Sequence, residues 1–301
     1  MDNQPSAQPP PLLCSRCGEE NRPTSKFCAH CGAKIELGLA PAFTPADLDD
    51  LKAAKLRLEY PSLTAKIADL IGKPIEAGLE RLPPDWQEKV GDVTRAALFK
   101  GLDYAIRTMG KPEPKESQDR LHQMLVAGTG ALSGAAGLWA VAVELPVSTC
   151  LMLRSIADIA RSEGHDISKL ETRLACLEVF ALGSKSAADD ASESGYWAVR
   201  LGLAAALPEA VAYIAKRGII EESAPPVARF VAIIASRFSI VVTEETAAKA
   251  VPVVGAVSGG LINLLFMNHF QEMARGHFTI KRLEAKYGSE LVQQKYKECV
   301  V

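Results

Sequence analysis

The sequence lacks a marked excess of charge of either sign. Its 34 lysines and arginines are balanced by 36 aspartates and glutamates, which gives a net charge of −2 and a pI near 6.3. Proteins that hold nucleic acid or acidic lipid by general electrostatics usually carry a basic domain or patch. The balance argues against that mode of binding for the chain as a whole, although it leaves a local patch open.

The first residues, MDNQPSAQPPPLL, also lack an apolar core of the kind found in secretory signals and membrane spans. Four prolines and little apolar material predict a disordered Pro-rich lead over residues 1–12, because such a segment cannot offset its ordering entropy. We therefore expect the protein to be cytoplasmic. The remainder has enough apolar residues to build a core, since 48% of the 301 residues are hydrophobic.

The distribution of the seven cysteines predicts a metal site. Four of them form two C-x2-C pairs separated by ten residues, and a glycine follows each pair. Two thiolates two residues apart converge on one ion, and two such knuckles complete a tetrahedral shell with no open position. We expect one structural zinc ion within residues 13–36, with metal binding supplying the folding energy. The predicted ligands are Cys14, Cys17, Cys28 and Cys31.

Two alternatives accompany this prediction: His30 in place of one thiolate, and a disulfide pair or redox CxxC motif in place of a metal site. The pattern CxxCG…FCxxCG, with Phe27 before the second pair, resembles the short zinc ribbons at the N-termini of many bacterial proteins. That resemblance implies a binding or scaffolding module. Basic and acidic residues are balanced within the ribbon, so we expect it to bind a protein partner rather than nucleic acid.

After a linker at residues 37–45, apolar residues recur with helical spacing and no convincing strand follows. Helices are expected near 146–163, 168–183, 186–206, 208–217 and 225–238, and Ser239–Glu245 reads as a short extended piece. The predicted fold class is all-α, a multi-helix bundle around two Gly-rich apolar helices that is preceded by a small zinc-ribbon module. The helical domain is expected to occupy residues 46–301.

The two Gly-rich runs, 123–143 and 250–270, leave the relation to a membrane open. The first run meets the length needed to cross a bilayer and the second nearly does, but Gly, Ser and Ala contribute little to insertion. Small residues three and four positions apart instead favour close packing of two helices inside a bundle. We expect that contact to involve Gly134 and Gly259.

Five stretches between residues 46 and 288 carry a family resemblance. They are LEYPSLTAKIADLIGKPIE (58–76), VELPVSTCLMLRSIADIARSEGHD (143–166), ETRLACLEVFALG (171–183), ESGYWAVR (193–200) and NLLFMNHFQEMARGHFTIKRLEAKYG (263–288). These stretches are similar to the EcsC family, which is named for a bacterial protein encoded beside an ABC transporter. The resemblance implies an all-helical domain with an association with membranes or transport, and no established biochemical activity. It adds an expected location, peripheral to or inserted in the inner membrane, to the cytoplasmic prediction.

Charged residues within the apolar helices are the candidate contacts for a ligand or lipid. Four of them share one helix face at steps of four, three and four, and three more form a comparable group near residue 275. Three interpretations remain open: ion-paired helix faces, an anionic ligand or lipid head-group site, and acid–base catalysis. The residues are Arg154, Asp158, Arg161, His165, Glu272, Arg275 and His277.

The leading functional hypothesis is a non-enzymatic membrane- or lipid-associated helical protein whose zinc ribbon recruits a protein partner. One alternative is a hydrolase-like enzyme that uses His165 or His277 with a carboxylate. Another is a soluble cytosolic adaptor without lipid contact.

Overall fold

The structure is a computed structural model of the chain. It describes residues 12–13, 16–17, 19–22, 25–33, 43–59, 79–80, 82, 85–109, 139–182, 195–218, 220–249 and 255–300. The chain divides into two compact units, Met1–Thr44 and Pro45–Val301.

The first unit contains a two-stranded antiparallel sheet of β1 (Leu12–Leu13) and β2 (Glu20–Asn21). Leu12 faces Asn21 in the register, and Leu13 faces Glu20. Leu12, the last residue of the stretch predicted to be disordered, belongs to β1, and residues 1–11 lie outside the described residues. The sheet is too small to hold a core of its own, which places the buried side chain of Cys28 at the centre of the unit.

All the regular secondary structure described in the second unit is helical, which confirms the all-α prediction for the main domain. The helices are α1 (Pro45–Glu59), α2 (Trp86–Thr108), α3 (Trp139–Ser162), α4 (Leu170–Glu178), α5 (Gly195–Leu203), α6 (Ala206–Arg217), α7 (Pro225–Lys249), α8 (Gly255–Tyr287) and α9 (Ser289–Glu298). A single 3-10 turn, Val179–Ala181, extends α4.

Helix α8 is the central element of this unit. It packs against α1, α3, α7 and α9, and its 33 residues make it the longest described helix. Aromatic rings from three elements meet beside it, with Phe270 5.2 Å from Phe180 and 5.5 Å from Phe238 between ring centroids. Burial of such side chains contributes about 1.5–3 kcal/mol each, so this cluster is a major part of the core.

Helix α7 differs from the sequence prediction. We expected a helix to end near residue 238 and Ser239–Glu245 to be extended, but α7 continues without a break to Lys249. Buried residues follow helical spacing through the whole segment, at Phe230, Ile234, Phe238, Val242 and Glu245. Packing of this face outweighs the β propensity of the Ile-Val-Val-Thr run, so the prediction of an extended piece was wrong.

The predicted contact between the two Gly-rich runs involves Gly134, which lies outside the described residues. The structure describes the run 123–143 only from Trp139, where α3 begins. Gly259 lies in the first turns of α8, and its surroundings are not described. Close helix packing is described elsewhere along α8, at Gly276. A Cβ added there would lie 2.6 Å from Leu58 Cγ and 3.1 Å from the Ala54 carbonyl oxygen of α1.

Candidate functional site

The described cysteines of the ribbon meet the geometric requirement for a metal site. The sulfur atoms of Cys17, Cys28 and Cys31 all lie within 4.8 Å of one another, and Cys17 Sγ is 3.5 Å from Cys28 Sγ. Tetrahedral zinc with Zn–S bonds of about 2.3 Å places its sulfur ligands about 3.8 Å apart. None of the three is in a disulfide. The donor set fits zinc; the fourth predicted ligand, Cys14, lies outside the described residues.

Backbone geometry explains why Cys28 and Cys31, the two cysteines of the second knuckle, converge. Gly32 has a φ of +68°, a left-handed conformation that glycine adopts without a side-chain clash. Its N–H donates to the Cys28 carbonyl oxygen at 3.0 Å, and the Cys28 N–H donates to the Ala33 carbonyl oxygen at 2.8 Å. These two hydrogen bonds close the second knuckle into a tight turn. His30 is exposed and is not among the clustered ligands within the described part of the ribbon.

The environment of Cys28 favours the thiolate that a metal requires. Hydrogen bonds from the backbone of Cys31, with smaller contributions from the backbone of His30 and from the side chains of Asn21 and Cys17, lower the pKa of the Cys28 thiol to about 6. Desolvation by burial opposes the shift. Asn21 was not singled out from the sequence, because an asparagine outside a ligand motif carries no local signal.

Three of the four charged candidates predicted to share one helix lie on α3, because this helix ends at Ser162, before His165. Arg161 forms an ion pair with Asp158, and both side chains are largely buried, at 11% and 6% exposure. Arg161 also donates to the Met109 carbonyl oxygen at the end of α2 (3.5 Å), and Arg154 donates to the Tyr104 hydroxyl (3.4 Å). These contacts join α3 to α2, and they make Arg161 a poor reporter of lipid binding because its removal would leave a buried Asp158.

His165 lies beyond the end of α3, and its Nε2 is 2.9 Å from the Phe278 carbonyl oxygen of α8. Desolvation by burial lowers the pKa of His165, while the hydrogen bond to Phe278 opposes that shift. The imidazole is tilted by 55° against the Phe278 ring, with ring centroids 5.1 Å apart. Both interactions suit a histidine that joins α3 to α8.

The three candidates on α8 point to different neighbours. Glu272 accepts a hydrogen bond from Arg57 of α1 at 3.0 Å, and both side chains are partly exposed. Arg275 is half-buried. His277 is fully buried and lies 3.2 Å from the Tyr196 hydroxyl through Nδ1 and 3.5 Å from Glu178 Oε2 through Nε2. The seven candidates are thus distributed over several helix contacts rather than gathered in one pocket.

The Tyr196–His277–Glu178 arrangement has the residue types of an acid–base relay but not its access to substrate. The 3.5 Å separation from Glu178 is longer than a normal hydrogen bond. Burial lowers the pKa of His277 to about 4, with the Glu178 contact opposing that shift. The imidazole is therefore neutral at pH 7. None of its surface is exposed, so the arrangement is best explained as a buried polar contact between α4, α5 and α8.

A groove of about 460 Å³ is described between the second half of α2 and the segment that follows α6. Arg154 is the one predicted candidate with a described contact to its lining, through Tyr104. Two basic and two acidic side chains line the groove, so its lining has no excess of positive charge to hold an anion. Its lining residues are Phe99, Lys100, Asp103, Tyr104, Arg107, Thr108, Ile220 and Glu222.

Two segments of the described chain are long and apolar enough to cross a membrane. They are Gly195–Arg217, with a mean hydropathy of 1.4, and Pro225–Lys249, with a mean hydropathy of 1.6. Neither segment is one of the two Gly-rich runs that the sequence analysis considered as membrane spans. Of those runs, 123–138 lies outside the described residues, and the described part of 250–270 lies within α8. The core helices of soluble proteins can be equally apolar, so the exposure of the segment has to distinguish a membrane-contacting helix from a buried one.

Comparison with protein-family models gives two matches. The model described as EcsC protein family matches residues 52–283, which is most of the chain. The chain belongs to the EcsC protein family. A zinc-ribbon domain model matches residues 13–35. These matches confirm the suspected EcsC domain with an N-terminal zinc ribbon, and the ribbon match agrees with the clustered sulfur atoms. No curated protein and no solved structure matches the chain.

Proposed function

We propose that this EcsC-family protein is a non-enzymatic, membrane-associated protein whose zinc ribbon binds a protein partner. The observation that carries the membrane part is the unequal exposure of the two apolar segments. Only 28% of the apolar window in Gly195–Arg217 is buried, compared with 44% in Pro225–Lys249. A segment that is apolar and mostly exposed has not been used to build the core, which favours a role at an interface.

The exposed apolar residues of α5 and α6 form one stripe. Leu201 is 74% exposed, and four exposed small residues follow it at steps of three and four, which places them on one side of the segment. We call this set the α5–α6 stripe: Leu201, Ala205, Pro208, Ala212 and Ala215.

The opposite side of the same segment is buried against the helical domain. Leu203, Ala206, Ala210 and Ile214 are buried, and α6 packs against α4 and α7. Exposed Glu209, Lys216 and Arg217 flank the stripe. A segment held by one face and bordered by charge is suited to lie in the plane of a bilayer surface, with the stripe at the head-group boundary. We therefore propose peripheral association rather than a span.

Co-sedimentation with vesicles of phosphatidylcholine and phosphatidylglycerol tests the proposal. Leu201→Glu should weaken binding about tenfold or more, because burying a leucine side chain contributes about 1.5–3 kcal/mol. Leu56→Glu is the matched control, since Leu56 is 47% exposed on α1 and lies outside the stripe. Equal loss in both variants would contradict the role of the stripe.

Wild-type behaviour separates the alternatives. Alkaline extraction of native membranes should release the protein if association is peripheral, and retention would indicate an inserted helix. No vesicle binding at low salt would contradict the membrane proposal and favour the cytosolic adaptor. A hydrolase that uses His277 has the neighbouring Glu178 in its favour, but it requires a substrate path to a side chain with no exposed surface.

The proposal for the ribbon is supported by the exposure of Phe27. Its side chain is 61% exposed beside exposed Lys26, although large aromatic residues are normally buried. Exposed aromatics surrounded by polar residues commonly anchor protein interfaces. A partner isolated with the full-length protein should bind Phe27→Ala at least about tenfold more weakly, as expected for an anchor residue worth more than 1.4 kcal/mol. Arg16→Ala, a change at another exposed ribbon residue, should bind normally.

A further inference from the structure

Asn21 is the buried polar residue closest to the metal ligands in the described part of the ribbon. Asn21 is only 5% exposed, although it belongs to a strand of only two residues. A carboxamide that loses water in so small a unit must regain hydrogen bonds within the protein. Its partners therefore indicate what it contributes.

Three hydrogen bonds of the Asn21 side chain hold the metal-binding loops. Nδ2 donates to the Glu19 carbonyl oxygen at 2.8 Å, two residues after Cys17. Oδ1 accepts a hydrogen bond from the Ala29 N–H at 2.8 Å, one residue after Cys28. Nδ2 also lies 3.6 Å from Cys28 Sγ, within donor range for sulfur. One carboxamide thus joins the segment after the first knuckle to the start of the second.

We propose that Asn21 is a positioning residue for the zinc centre, which fixes the second knuckle and donates an N–H···S hydrogen bond to the Cys28 thiolate. Four thiolates around Zn²⁺ leave a net charge of −2, which N–H donors directed at sulfur offset. The hydrogen bond to Ala29 fixes the backbone from which Cys28 projects. Asn21 does not touch the metal and acts through its ligand.

Two substitutions separate these contributions. Asn21→Ala removes every hydrogen bond of the side chain. Asn21→Asp keeps an oxygen that can accept from the Ala29 N–H, but it replaces the donor facing Cys28 Sγ and the Glu19 carbonyl with a second oxygen. Arg22→Ala is the control: Arg22 is exposed on the next residue, and its loss changes the local charge by the same one unit as Asn21→Asp.

Zinc affinity of the full-length protein is measured by competition with a chromogenic chelator. Both Asn21 variants should bind zinc about 10- to 100-fold more weakly, the usual effect of losing a residue that orients a metal ligand. Arg22→Ala should stay within about twofold of wild type, because no described contact of its side chain reaches the sulfur cluster. Wild-type affinity in Asn21→Asp would overturn the role of the N–H···S bond, and wild-type affinity in both variants would overturn the proposal.

Cobalt substitution distinguishes weakened binding from a ribbon that does not form. With saturating Co²⁺, the Asn21 variants should still show the thiolate charge-transfer and d–d absorption of a tetrahedral sulfur site. Their titration midpoints should shift to higher cobalt concentration. Absence of the tetrahedral spectrum at any cobalt concentration would mean that Asn21 is required for the fold of the ribbon, which overturns a role limited to positioning.

Discussion

Gly276 shows how a single missing side chain permits two helices to approach. An added Cβ would clash with Leu58 at 2.6 Å and would meet the Ala54 carbonyl oxygen, which is backbone and cannot rotate away. Gly276→Ala should therefore lower the free energy of unfolding by about 1–3 kcal/mol. Urea denaturation followed by circular dichroism measures this change.

Gly91 is the matched control for that substitution. It lies inside α2, and an added Cβ would meet nothing within 4 Å. Gly91→Ala should raise the free energy of unfolding by about 0.5–1 kcal/mol, because alanine has the better helix propensity. Equal destabilisation in both variants would contradict the close approach of α1 and α8.

His277 should make the stability of the helical domain sensitive to acid. Its pKa is about 4 in the folded protein against an ordinary value of 6.5, so the unfolded chain binds the proton more readily. The corresponding stability is fully present above pH 6.5 and is lost as the pH falls towards 4. Between pH 7 and pH 5 the loss should reach about 2 kcal/mol.

Comparison of unfolding at pH 7 and pH 5 isolates this contribution. His277→Gln should be less stable at pH 7, because it disturbs the buried contacts with Tyr196 and Glu178, but its stability should vary less with pH. His30→Gln, a change at an exposed histidine of the ribbon, should retain the wild-type dependence. An unchanged acid dependence in His277→Gln would show that other titratable groups account for it, such as His165, whose pKa is also lowered by burial.

Spacing made the clustering of Cys17, Cys28 and Cys31 predictable, because these residues are close in sequence. The pairing of His277 with Tyr196 was not predictable, since 81 residues separate them and only the fold brings them together. Arg161 illustrates the same limit. Its position on a helix face was evident, but its burial with Asp158 depends on the packing of α2.

The packing of α1 on α8 provides a test at the scale of elements. Asp47 is 6% exposed at the start of α1 and accepts hydrogen bonds from Lys286 and Tyr287 at the end of α8. Asp47→Ala should lower the free energy of unfolding by about 1–3 kcal/mol, because both donors lose a charged acceptor. Thermal and urea unfolding of the purified variant measure the effect.

Asp49 is the control on the same helix. Its side chain is 78% exposed and lies 3.8 Å from Lys52, also exposed. Surface pairs of this kind contribute about 0–1 kcal/mol, so Asp49→Ala should change stability by less than about 0.5 kcal/mol. A similar loss in both variants would attribute the effect to the N-terminal charge of α1 and not to its contact with α8.

Helix identity was predictable for most of the described helical unit, and helix ends were less so. The extended prediction for Ser239–Glu245 rested on β-branched residues, whereas the buried positions Phe238, Val242 and Glu245 continue a helical period. The α5–α6 stripe was missed for a related reason. Its residues are mostly alanine, and composition does not reveal which side of an apolar helix stays exposed.

The whole molecule combines two units that are stabilised in different ways. The helical unit buries aromatic and aliphatic side chains around α8, whereas the ribbon has Cys28 as its buried centre, with Cys31 and Ala33 packed against it. Sequence predicted this division because a metal-ligand motif and helical periodicity are separate local signals.

Metal removal should therefore affect the two units unequally. We expect about one zinc equivalent per chain by elemental analysis, lost in the Cys14→Ser/Cys17→Ser variant. Because binding of structural zinc supplies the folding energy of a ribbon, chelation should abolish protection of the ribbon amides from hydrogen exchange. The helical circular dichroism signal and melting temperature should change little, since the core around α8 contains none of the ribbon ligands.

Cys150→Ser, at a half-buried cysteine of α3, should retain zinc. Collapse of the helical signal on chelation would show that the metal stabilises both units.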